Sequence, residues 1–572
     1  MKTVNVITNT SIIVIAILFS LITACAPFQH GETSRQGRAG GPLINGYYHY
    51  SCGVLFMLDG EIDKAVEEYE KALWFDPESA CLLSELAALY IKKGEVDAAV
   101  RLLEKSVTSN PEHIDSHILL GSLYGNLGKY DDALREYNKV IEIDPENLEA
   151  YLFLSRLYHQ NRNYDKAIDV LGNLMKIDSR NLMGCYYLAK VYAAMMNYDE
   201  AEIWFQETLE IKPAFRPALM GLGVVYRSQN KNDKELELYS DFLRANPSNS
   251  EIRFEMGNTL MRLKRYDAAA EEFEKILEMD NSLVDVHFSL GLAYLFGEKQ
   301  GNRAIGEFLT VLELRPDHYR AIYFLATVYE EKEQYADAMK ELETIPEKST
   351  LYTAARIRMG FILKDEGNTS AAIKLIRVEI EKKNKDIELY RFLAAVYEEA
   401  GRFKDAEDIL TKGLTLLPQD IGLHYSLGML YGRRHEYRES IEEMETVLKL
   451  DPYNADAINF IGYSYADRGI RLDEAEKLVQ RALSLKPDKG YIMDSLGWVY
   501  FKQNKVKLAI KYLKRAWELL PEDPVIAGHL GDAYEMDGRK KEALNVYERA
   551  LGLNPGNEKL KKKIKYIRIP SE

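Results

Sequence analysis

Between Ile114 and Asn147 the chain reads IDSHILLGSLYGNLGKYDDALREYNKVIEIDPEN. His117, Leu120, Gly121 and Tyr124 fall at i, i+3, i+4 and i+7, which is one stripe of a helix. After Gly128 and Lys129 a second stripe runs through Ala133, Tyr137, Val140 and Ile141. Pro145 has no N–H and ends this second helix. Two helices joined by one turn cannot bury both stripes by themselves. The segment therefore needs copies of itself on either side.

The chain supplies them. Stepping about 34 residues from Pro145 reaches Pro111 and Pro77 upstream. Downstream the same place is held by Ser179, Pro213, Pro247, Asn281, Pro316, Thr350, Asn384, Pro418, Pro452, Pro487, Pro521 and Pro555. One-residue insertions near Gly301 and Ile470 account for the two slips in register. Fifteen units run from Gly46 to Asn557, and their eighth position is always small: ten Gly, four Ala and Ser155. The eleventh is Tyr in twelve, and the twentieth is Ala except at Glu235 and Ser440. Small residues at these two places let helices approach closely, and the aromatic fills the space between them. Asn147, Asn181 and Asp420 precede first helices and suit N-caps.

A 34-residue period with L-G-x-x-Y, then A, then P, resembles the tetratricopeptide repeat (TPR) family. The resemblance covers 46–557 and implies an all-α fold, an α-solenoid superhelix of about 15 helix-turn-helix units. The amphipathic stretch 558–572, with Leu560, Ile564 and Ile567 on one side, reads as a C-terminal capping helix and tail. The pattern is weakest from Thr344 to Thr353, where Pro346 cuts the second helix short. That divides the array into units 1–9 (46–352) and units 10–15 (353–557).

Residues 1–24 read as a targeting segment, with Lys2 the lone charge and an apolar run from Ile12 to Ile22 too short to span a bilayer. Leu21-Ile22-Thr23-Ala24-Cys25 resembles the bacterial lipoprotein box. By that resemblance Cys25 is the lipidated first residue of the mature chain. Ala26 in place of Asp favours the outer over the inner membrane, facing the periplasm. Residues 25–45, Gly-rich and polar, read as a flexible tether.

A formal charge of −15 argues against nucleic acid as a partner. Cys52, Cys81 and Cys185 remain once Cys25 is assigned to lipid. Cys52 and Cys81 lie on first helices of adjacent units, where either a disulfide or simple packing is open. No catalytic constellation stands out. Gly125–Lys129 lacks the spacing of a phosphate loop. His113 and His117 are spaced like a metal pair but occupy a capping and a packed position. No metal, cofactor, small-molecule substrate or enzymatic activity is expected.

What remains is a binding surface. By the family resemblance, positions 2, 5, 9 and 12 of each first helix line a concave groove. Units five to eight place Met183, Tyr186, Met220, Val224, Phe254, Met261, Phe288, Leu292 and Leu295 there. Units twelve to fourteen place Tyr425, Met429, Tyr463, Tyr491, Trp498 and Phe501 there, with Asn459 and Asp494 as polar handles. An exposed apolar stripe of this extent marks a protein or peptide partner; the competing reading is that helix-to-helix packing buries it. Gly462–Ala475, Asp494–Tyr500 and His529–Asp532 resemble the C-terminal part of proteobacterial outer-membrane TPR lipoproteins. Some of these are adaptors for a periplasmic processing protease and its cell-wall hydrolase substrates. That resemblance implies a membrane-anchored scaffold. An exopolysaccharide-export component and a regulatory subunit of a glycan-transfer enzyme are the alternatives.

Overall fold

The protein is described by a computed structural model covering residues 41–298 and 300–568. The targeting segment, Cys25 and the first part of the tether lie outside the described residues. From Gly41–Leu58 to Glu558–Arg568 helix follows helix, and among the described residues there is no strand. None of these helices is long and apolar enough to cross a membrane. The first begins earlier than expected, since Gly41–Asn45, assigned to the tether, already form its opening turns.

The unit beginning at Ile114 shows how sequence becomes structure. Its helices are Ile114–Asn126 and Tyr130–Ile143, with Pro145 just beyond the second. Ala133 and Val140 are fully buried, and Tyr137 stacks on Phe153 of the next unit (centroids 5.5 Å apart, planes at 14°). The stripe of one unit is thus completed by its neighbour. The following unit opens on Asn147, whose Oδ1 accepts the Ala150 N–H at 3.0 Å, and Asn181 and Asp420 cap their helices in the same way. A Cβ on Gly121 would stand 2.8 Å from Tyr137 Cε1, and one on Gly291 2.7 Å from Phe308 Cε1. The eighth position is small because a large side chain of the second helix rests on it, aromatic in these units and Met444 or Leu513 over Gly428 and Gly497.

The turn between the two helices carries a second, less obvious constraint. Its backbone is left-handed in nearly every unit, with Gly60, Gly94 and Gly128 early in the chain and Arg162, Met196, Asn230 and Lys264 at the same place further on. Residues with a Cβ resist this conformation, whereas glycine does not.

The two exceptions to Ala at the twentieth position are both satisfied by hydrogen bonds. Glu235 is completely buried. Arg227 donates to it through Nε (3.0 Å) and Nη2 (2.7 Å), Thr259 donates at 3.1 Å, and Arg262 completes the cluster. Ser440 donates to the Gly428 carbonyl at 2.7 Å.

The chain packs as two compact blocks, one ending at Met279 and one beginning at Asp280. The boundary expected at 352/353 falls inside the second. There the second helix is indeed short, Tyr335–Glu343, and Ile345 is fully buried beyond its end. Buried Arg356 donates to the carbonyls of Glu343 and Ile345 (3.3 and 3.4 Å) and lies 4.6 Å over the Tyr352 ring. The carbonyls freed by Pro346 are thereby satisfied from the next helix. Cys52, Cys81 and Cys185 are unbridged thiols.

Candidate protein-binding face

The groove side chains sit on the first helix of each unit, and the two blocks present them differently. In the N-terminal block Met183, Tyr186, Met220, Phe254 and Met261 are half-buried, while Val224 is 53 % exposed. Tyr186 meets Phe215 edge-on at 5.3 Å, and Phe254 leans on Phe273 at 5.6 Å. Met220 packs against the cluster of Leu219, Tyr239, Leu243 and Ile252. Tyr186, Met220 and Phe254 therefore each have one side fixed by their own block and one side open. That arrangement keeps the ordering entropy of binding low, because the rotamer is already held.

The C-terminal block corrects part of the expected stripe. Phe288 is buried among Phe308, Phe324 and His318, with the Arg320 guanidinium 4.8 Å from its ring centre. Leu295 is buried as well. Trp498 is only 8 % exposed. Its ring lies in a stack between Phe501 (4.7 Å, 9°) and His529 (4.0 Å, 17°). Its Nε1–H points at Asp467 Oδ1, 3.4 Å away. Asp494 is buried too, its two oxygens 3.0 and 3.1 Å from His529 Nδ1. Asn459 is buried, and its Oδ1 has no hydrogen-bond partner among the described residues. At these positions successive first helices close on each other, so the residues serve packing before anything else.

Leu292, Tyr425, Tyr463 and Phe501 stay half-buried, and Tyr491 is exposed. The Tyr491 hydroxyl donates to Asp456 Oδ1 at 2.5 Å, and Lys486 reaches Asp456 Oδ2 at 2.9 Å. Burial works against the Asp456 carboxylate, but these two hydrogen bonds outweigh it and hold the group below its ordinary range. Burial pushes the Tyr425 and Tyr463 hydroxyls up, and both stay neutral donors at neutral pH.

The histidines do structural work. His113 Nδ1 accepts the Ser116 N–H at 3.3 Å as a cap. His117 bridges Glu136 (2.6 Å) and the Pro111 carbonyl (3.0 Å). His287 repeats the bridge with Glu307 and the Asn281 carbonyl, and His424 with Glu443 and the Pro418 carbonyl. This clamp ties the two helices of a unit to the preceding turn. Its sequence signal is a His at the fourth position with a Glu about one helix later, which the periodicity alone did not single out. Among the described residues no group of three or more His, Cys, Asp or Glu side chains has the arrangement to hold a metal ion.

Two family models, both described as tetratricopeptide repeat, match the chain. One covers 56–123, 127–184, 295–357 and 500–563, the other 220–284, 254–300 and 425–490. The TPR repeat-containing protein PA4667 of Pseudomonas aeruginosa is 30% identical over 193 residues, covering 34% of this chain and 33% of that one. The protein O-mannosyl-transferase TMTC3 of Homo sapiens is 23% identical over 283 residues, covering 48% of this chain and 31% of that one. The match thus spans about a third of the length of each relative. Among solved structures, a tetratricopeptide repeat protein from Parabacteroides merdae is 20% identical with a TM-score of 0.34, covering 44% of this chain and 99% of that one. The Cut9-Hcn1 hetero-tetramer of the APC/C is 15% identical with a TM-score of 0.36, covering 86% and 96%.

Proposed function

This chain belongs to the tetratricopeptide repeat family, and from that premise we propose that it is a non-enzymatic, membrane-anchored scaffold binding protein partners along its first-helix faces. The observation that carries the reading is the row of partly exposed side chains, Met183, Tyr186, Met220 and Met261 in one block and Tyr425, Tyr463 and Tyr491 in the other. Methionine adapts to varied partner surfaces, and tyrosine anchors with few rotamers to lose. Proteins built of this repeat serve protein–protein contact, and nothing in these faces converges as a catalytic site must.

The anchor is Cys25, following the Leu21–Ala24 run, and the home is the outer membrane, facing the periplasm. Three acyl chains on one residue give stable attachment, since even two membrane signals suffice. The partners we assign are components of a periplasmic protease or cell-wall hydrolase complex, on the C-terminal resemblance of Gly462–Asp532. Crosslinking and mass spectrometry on native membranes, for wild type and Cys25→Ser, tests both parts. The expected result is a reproducible protein partner set and release of Cys25→Ser to the soluble fraction. Full retention of Cys25→Ser in salt-washed membranes overturns the anchor. Recovery of a glycosyltransferase or of export proteins as the stoichiometric partner would replace the adaptor reading with one of its alternatives.

A further inference from the structure

The first unit ends the array with a face unlike any other. Its helix Gly41–Leu58 contains no Asp, Glu, Lys or Arg in 18 residues. Tyr48, Leu55 and Leu58 lie at i, i+7 and i+10 on one side of it and are 63, 61 and 63 % exposed. Trp74, at the end of the next helix, is 76 % exposed. A run of rings joins the two helices: Tyr48 to His49 at 5.3 Å, His49 to Phe75 at 6.0 Å, and Phe75 to Trp74 at 4.8 Å. In the second unit the matching places on the helix Ala80–Lys93 are Leu82 and Leu89, both buried against the helix Ile62–Phe75, and Lys92, a charged residue where the first unit has Leu58.

The opposite end of the array is finished differently. The helix Glu558–Arg568 buries Leu560 and Ile564 and leaves Lys561, Lys562 and Lys565 exposed, the polar cap that a repeat array needs in water. An apolar, aromatic-rimmed end is therefore not a requirement of the fold.

We infer that this face, Tyr48, Leu55, Leu58 and Trp74, rests on the interfacial layer of a lipid bilayer. Trp and Tyr beside uncovered Leu, without charge, is the composition that partitions to the headgroup boundary. With Cys25 as the lipid anchor, only residues 26–40 separate the bilayer from Gly41. Those residues are mostly polar and Gly-rich, so their side chains do not complement an apolar face. The nearby Lys71 is ion-paired with Glu68 at 2.6 Å and leaves no unpaired positive charge to favour an anionic surface, so the surface that fits is uncharged. The inference rests on the membrane-anchored reading above.

The test uses the full-length lipidated protein in phosphatidylcholine vesicles containing bromine-labelled lipid. The chain has four tryptophans. The expected result is partial quenching of tryptophan fluorescence that disappears in Trp74→Phe and weakens at least twofold in Leu55→Asp/Leu58→Asp. Quenching that survives Trp74→Phe, or no quenching at all, overturns the inference. If the protein floats with vesicles yet Trp74 is unquenched, the anchor stands and the docking face falls. If it neither floats nor is quenched, both fall. A Cys25→Ser chain that sediments as a dimer and becomes a monomer on Leu55→Asp would put a second copy on this face instead.

Discussion

Trp498→Ala separates packing from binding at the residue most conspicuous in the sequence. The indole is only 8 % exposed and is held between Phe501 and His529. Truncating a buried Trp costs about 3–5 kcal/mol through lost transfer energy and the cavity left behind. Of this, about 0.5–1.5 kcal/mol belongs to ring stacking beyond area. The Nε1–H to Asp467 contact, at 3.4 Å, is too long to add much. Because each unit touches only its neighbours, the loss stays local. Hydrogen exchange read by mass spectrometry should show faster exchange in Ala455–Asp467, Gly490–Lys502 and Pro524–Met536, and unchanged exchange in Ile114–Ile143. Trp498→Phe, which keeps the stack, should recover most of the protection. If Trp498→Ala exchanges like wild type while a partner is lost, the ring is a binding anchor and the burial argument is refuted.

Gly291→Leu and Gly428→Leu should each cost at least about 1–3 kcal/mol and broaden thermal unfolding, since even a Cβ there would stand 2.7 Å from Phe308 and 2.9 Å from Met444; wild-type melting would show the register is wrong. Gly128→Ala should cost about 1–2 kcal/mol through its left-handed backbone alone (φ +74°, no atom within 4 Å of the new Cβ), and Lys264→Gly should stabilise, as differential scanning calorimetry will read. The Asp456 carboxyl sits below its ordinary 3.8, so its stabilisation is full above about pH 4 and is lost as pH falls through the folded value. The melting difference between wild type and Tyr491→Phe should therefore shrink in acid, and a difference independent of pH would remove Tyr491 as the cause.

The repeat was legible because its determinants are short-range and recur. A small residue under a large apolar one about sixteen residues on, as at Gly121 and Tyr137, recurs in every unit, and a capping residue such as Asn147, Asn181 or Asp420 precedes many of the first helices. Burial of Phe288, Asp494 and Trp498 was not legible from a helical wheel. A wheel compares residues of one helix, whereas these side chains are covered by the next first helix, as Trp498 and Asp494 are by His529. An Asp at the fifth position of one unit and a His at the sixth of the next was the signal available. The exceptions at Glu235 and Ser440 could be seen in sequence, but their compensation by Arg227, Arg262 and the Gly428 carbonyl needed coordinates. Arg356 and the short helix before it are the same case: Pro346 announced the break, and its repair came from the following helix.

The claim that the first-helix faces bind protein is tested most directly by site-specific photo-crosslinking in cells. A benzophenone amino acid would be placed at Val224 or Tyr491, exposed on first helices, and at Ile203 or Leu508, exposed on second helices. Discrete protein adducts are expected from Val224 and Tyr491 and none from Ile203 and Leu508. Adducts confined to the second-helix positions, or equal at all four, would contradict it.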